Sequence, residues 1–93
     1  MRKVRSVQSA GRIPGGVTLD ALHPDERGTI LGVDAGEALY HRLAALGLRV
    51  GKRVRLLRRA PLGGPLHISL GMTEIMLRPH EARCVRIAPE ADT

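Results

Sequence analysis

This chain has to build its interior without aromatic rings. Its 93 residues include no Trp, no Phe and a single tyrosine, Tyr40. Rings normally supply the largest buried area per side chain, so Leu, Val, Ile, Ala and Met must form the core. A chain of this length buries roughly 60–65% of its unfolded surface, which suits one small domain. Hydrophobic residues make up 43% and charged residues 26%, the balance of a globular domain and not of a disordered one. The missing rings also argue against two binding modes. Grooves for proline-rich peptides and platforms for single-stranded nucleic acid both depend on aromatic side chains.

Unbroken apolar runs, such as Ala44-Ala45-Leu46, fall far short of the roughly 20 residues a membrane-spanning helix needs. Cys84 is the only cysteine, so neither an internal disulfide nor a Cys-based zinc site is available, and nothing points to secretion. The formal charge is +6. Arg2, Lys3, Arg5 and Arg12 lie in residues 1–16, which hold no acid and end in Ile13-Pro14-Gly15-Gly16. That segment lacks the apolar centre of a signal peptide and is expected to be a flexible basic tail and linker. A second basic cluster comprises Lys52, Arg53, Arg55, Arg58 and Arg59. Its simplest reading is the solvated face of a strand, and its functional reading is a patch for phosphate, an acidic protein or an anionic membrane surface.

Order is expected from Val17. Thr18 is placed to cap a single turn that His23-Pro24 ends. Residues 29–33 read as a strand with a bend or bulge near Gly32. Asp34 and Glu37 have capping-box spacing, and Leu39, Leu43 and Leu46 follow at i, i+4 and i+7. This predicts a helix over about 35–46, docked by its Leu face because it is too short to persist alone. Gly47 stands where a left-handed cap is wanted, with Leu48 folding back onto Leu43. Four short strands are expected at about 53–60, 66–71, 74–78 and 84–88, with Pro79 opening one helical turn. Short antiparallel strands in this number close most economically into a small barrel.

The run Arg42-Leu43-Ala44-Ala45-Leu46-Gly47-Leu48-Arg49-Val50-Gly51 has the form R-L-x-x-L-G-L-x-x-G. A Val-x-Leu strand, Ala60-Pro61-Leu62-Gly63-Gly64-Pro65 and Leu77-Arg78-x-x-Glu81-Ala82 follow it, and Thr18-Leu19-x-x-Leu22 precedes it. Together these pieces resemble the FeoA family across residues 17–88. Val50 stands where that family usually has Pro, and Asp25 where it usually has Gly. The resemblance implies a mainly β fold, a five- to six-stranded SH3-like barrel with one inserted helix. Residues 1–16 and 89–93 would then be tails.

It also implies a small cytoplasmic accessory protein of bacterial ferrous-iron uptake. Such a protein would act through contact with the FeoB-type membrane permease and its cytoplasmic GTPase domain. The same domain occurs in metal-dependent repressors of the diphtheria-toxin-repressor type. Sixteen preceding residues cannot hold their helix-turn-helix, so the stand-alone form is expected. The other readings are a nucleic-acid-binding SH3-like barrel and a self-associating structural module.

No catalytic constellation is visible. His23, His41, His67 and His80 are scattered without metal-ligand spacing, and Cys84 has no oriented base. Glu37, Glu74 and Glu81 read as single carboxylates in capping or exposed positions. We therefore expect no enzyme, no cofactor and no built metal site. For partner contact the candidates are the loop Leu62, Gly63, Gly64 and Pro65, together with Met72, Tyr40 and Arg42. Met76 is divided between core, self-association and partner contact. Arg42 is also a candidate to cap nearby carbonyls. Leu43, Leu46, Gly47, Leu48 and Gly51 form the structural motif.

Overall fold

The computed structural model describes residues 16–90, so most of the basic segment 1–16 lies outside the described residues. The chain runs β1 (Val17–Thr18), a 3-10 turn (Leu19–Ala21), β2 (Arg27–Val33), α1 (Glu37–Ala45) and β3 (Arg53–Arg59). Then come β4 (Leu66–Leu70), β5 (Thr73–Leu77), α2 (Pro79–Ala82) and β6 (Val85–Pro89). All six strands join one sheet in the order β1-β6-β2-β3-β4-β5, and every pairing is antiparallel. The fold is mainly β, as expected, with β1 and β5 at the two ends of the sheet.

Alternation sets the inner face. Val54 and Leu56 on β3, Leu66 and Ile68 on β4, and Val85 and Ile87 on β6 are buried, and no aromatic ring joins them. Leu19, Leu22, Ile30, Leu43, Leu48, Leu77 and Ala82 complete one continuous cluster. Arg53 and Arg55 have the opposite parity and face outward, as their alternation with Val54 requires. On β2 the pairing with β6 shifts register between Ile30 and Gly32, which is the expected irregularity. A second shift, between Leu56 and Arg58, has no counterpart in the sequence pattern. Strand β1 has no sequence signal either. Two residues pairing with Ile87 and Arg86 are too few to show a period.

Helix α1 begins later than its spacing suggests. Gly36 is the N-cap, and it has no side chain to accept from the first-turn N–H groups. The Asp34 carboxylate instead accepts from Arg86 Nε at 2.6 Å, because β6 pairs beside it at Val33 and Gly32. A cross-strand ion pair takes up the carboxylate that would have formed the local cap. Leu46 is the C-cap residue and is 38% exposed, whereas Leu43 is fully buried. Docking therefore rests on Leu43 and Leu48, and the expected burial of Leu46 does not occur.

The helix end behaves as read. Gly47 has φ 102°; its N–H donates to Ala44 O at 3.0 Å, and the Leu48 N–H donates to Leu43 O at 3.0 Å. These two bonds make a Schellman motif, closed by the buried pair Leu43 and Leu48. Asp25 has φ 71°, so it adopts the left-handed geometry that glycine would supply there.

A candidate contact surface around the Leu62 loop

The loop between β3 and β4 is a tight turn. Gly64 N–H donates to Pro61 O at 3.1 Å, and Ala60 N–H donates to Pro65 O at 2.9 Å. Its central residues are Leu62 at φ 61° and Gly63 at φ 73°. Two consecutive positive φ values are the pattern of a type I′ turn, which normally selects Asn-Gly. Gly63 satisfies that demand, and Leu62 does not. Gly64 is required for a different reason: a Cβ there would lie 2.7 Å from the Cβ of Ala60. The result is a stiff loop holding Leu62 fully exposed, at 103%.

Beside this loop lies a cleft. Gly63, Gly64 and Pro65 line one wall, Met76 and Leu77 of β5 the floor, and Arg42, Pro79, His80 and Glu81 the far side. The topology explains the convergence, because Leu66 pairs with Leu77. That register brings the start of β4 and the end of β5 to the same end of the sheet, where α2 begins.

One ion pair fixes the far side. Arg42 Nη1 on α1 donates to Glu81 Oε2 on α2, and Glu81 Oε1 accepts the Arg78 N–H at 2.9 Å. Glu81 is 1% exposed. Burial alone pushes its carboxyl up, but the Arg78 N–H bond, the charge and hydrogen bond of Arg42, and the nearby His80 together outweigh it. The carboxyl therefore sits below its ordinary value. Glu81 does cap α2 through the Arg78 N–H, yet it is buried, which the sequence did not reveal. Arg42 is committed to Glu81 in place of the carbonyl-capping role considered for it.

The structure thus unites part of the expected set. Gly63, Gly64, Pro65 and Arg42 line the cleft with Met76, which is 61% exposed, while Leu62 stands outside the lining at the tip of the adjoining loop. Met72 is exposed too, but it sits in the β4–β5 turn at the opposite end of that hairpin. Tyr40 is half-exposed and faces a different depression, with Val33, Ala44, Leu48 and Val50. Gly51 has φ 91° and serves the turn into β3. Among the described residues no three His, Cys, Asp or Glu side chains are grouped to hold a metal ion. Cys84 Sγ contacts His80 O at 3.4 Å. No described helix is long and apolar enough to cross a membrane.

A small six-stranded antiparallel sheet with short helices packed on it is the architecture of an SH3-like domain. The FeoA domain model matches residues 17–89, so the chain belongs to the FeoA family, which is linked to an accessory role in ferrous iron transport. The solution structure of FeoA from Chlorobium tepidum is similar at 30% identity and TM-score 0.75, over 83% of this chain and 73% of that one. FeoA from Stenotrophomonas maltophilia, solved with zinc and described as a prokaryotic SH3 domain protein, matches at 29% identity and TM-score 0.71. That match covers 84% of this chain and all of the other. A manganese-dependent transcriptional repressor matches at 18% identity and TM-score 0.74, over 86% of this chain and 46% of that one; this shows a shared fold alone. No curated protein matches the sequence.

Proposed function

We propose that this chain is a cytoplasmic accessory protein of ferrous-iron uptake that acts by protein contact. Its partner in this reading is the cytoplasmic, GTPase-bearing part of a FeoB-type permease. Leu62 is the anchor, and the cleft formed by Pro65, Met76 and Pro79 receives the partner. The family supplies the transport context. The observation that carries the site is Leu62 itself, a fully exposed leucine held in left-handed geometry on a stiff turn. An apolar side chain presented on a pre-ordered loop loses little entropy on binding, and burying it in a desolvated pocket at the centre of a contact is favourable.

The test is Leu62→Glu, judged by co-purification with the permease and by iron uptake in cells. A charge in the desolvated centre of the contact should abolish both, while circular dichroism stays that of the parent. A folded Leu62→Glu protein that binds and supports uptake like the parent refutes the site. Absence of any permease contact by the parent refutes the partner.

A further inference from the structure

On the outer face of the sheet, away from the Leu62 cleft, two arginines oppose each other directly. Arg27 on β2 pairs in register with Arg55 on β3, and Arg53 lies two residues along the same strand. Across β3, Arg55 is in register with Ser69 of β4. Arg27, Arg53, Arg55 and Ser69 line a shallow depression that ends at Gly71. Like charges directly opposite in a ladder are destabilising, so this register works against the fold unless something neutralises it.

The carboxylates present reach only one member of the opposed pair, and the neighbouring Arg53. Asp25 accepts from Arg55 Nη2 at 2.8 Å, and Glu90 accepts from Arg53 Nε at 2.9 Å. Among the described residues Arg27 has no carboxylate partner. Arg55 Nε is buried with no acceptor at all. A buried donor left unpaired is costly, and guanidinium groups are well suited to binding the oxygens of a tetrahedral oxyanion.

We propose that this face is a binding site for a phosphate group, with Arg27 and Arg55 as its two arms and Arg53 and Ser69 at its rim. The phosphate comes either from a free phosphate compound or from a phospholipid headgroup. The oxyanion lies between the two arms, converts their repulsion into charge-assisted hydrogen bonds, and supplies the anionic partner that Arg27 lacks among the described residues. The site is independent of the contact surface at Leu62.

The arginine pair makes the test two-sided. The melting temperature of the parent rises with inorganic phosphate, because a ligand that binds only the native state stabilises it. Arg27→Gln relieves the repulsion, so this variant melts at or above the parent in phosphate-free buffer and loses the phosphate-dependent rise. Its phosphate affinity, read by NMR titration, falls about tenfold or more, the effect of one charge-assisted bond. Arg83→Gln removes the same charge from an exposed position at the end of α2 and leaves the affinity unchanged. Sedimentation with phosphatidylglycerol vesicles, against phosphatidylcholine vesicles, identifies the source. Selective vesicle binding that Arg27→Gln abolishes, with little response to free phosphate, assigns the headgroup; the reverse pattern assigns the free compound. The proposal is overturned if neither probe binds, if Arg27→Gln binds like the parent, or if Arg83→Gln loses as much as Arg27→Gln.

Discussion

Arg42 and Glu81 lie 39 residues apart in sequence and form one ion pair that ties α1 to α2. Glu81 is buried and Arg42 is 59% exposed, so a solvent-facing cation neutralises an interior anion. Removing the cation strands that carboxylate. Arg42→Ala should cost about 1–2 kcal/mol, less than a fully buried pair because solvent screens the guanidinium. Chemical denaturation would measure it. A loss no larger than that of Arg83→Ala would show that the pair contributes nothing.

The same pair sets an acid limit. With its native carboxyl held below the ordinary value of 4.5, Glu81 binds fewer protons in the native state than in the unfolded chain. Its contribution to stability is complete above that value and is lost as pH falls through the lower native one. Stability should therefore decline on acidification below about pH 5, and part of that decline should vanish in Glu81→Gln. Parallel pH profiles of melting temperature for the two proteins would contradict this.

Leu43 and Leu46 lie on the same expected helix face but have different fates. Leu43→Ala should cost about 2–5 kcal/mol, because a fully buried Leu leaves a cavity. Leu46→Ala, at a partly exposed cap position, should cost well under half of that. Equal costs would mean that α1 docks differently.

These two leucines show how far the sequence could be read. The period of α1 identified the helix, and Gly47 with Leu48 marked its end, because capping chemistry is local. Burial at the last turn depends on where the sheet lies, and a period cannot report that. Asp34 failed as a cap for the same reason: its competitor, Arg86, is 52 residues away. The strands were legible where Val, Leu and Ile alternate with polar or outward residues, or lie between clear turn signals. Strand β1 and the register shift beside Leu57 carry no such alternation. Within the contact surface the Gly/Pro loop was visible as turn chemistry. The pairing of Arg42 with Glu81 and the opposition of Arg27 and Arg55 arise only when distant strands and helices are brought into register.

Gly47 tests the cap directly. A Cβ at this position would meet only Leu70 Cδ1, at an ordinary 3.6 Å, so backbone geometry decides the outcome. At φ 102° a β-branched residue is strained. Gly47→Val should lower stability by about 1–2 kcal/mol or more, with Gly47→Asn less affected. Indistinguishable melting temperatures for the two would rule out the left-handed cap.

Leu62 separates what the fold needs from what a partner would need. Its side chain is fully exposed, so truncation forfeits no buried area. Its φ of 61° belongs to a turn position that favours Asn or Gly, and a leucine there is strained by about 1 kcal/mol. Leu62→Asn should therefore melt at or above the temperature of the parent, since Asn-Gly is the preferred centre of a type I′ turn. Strained residues that the fold does not require cluster at functional positions, and the same substitution should weaken capture of the permease by removing the apolar anchor. A melting curve and a binding measurement on this one variant decide the matter. A fall in melting temperature would make Leu62 part of the folded scaffold. Unchanged permease binding would leave the strained leucine without the role proposed for it.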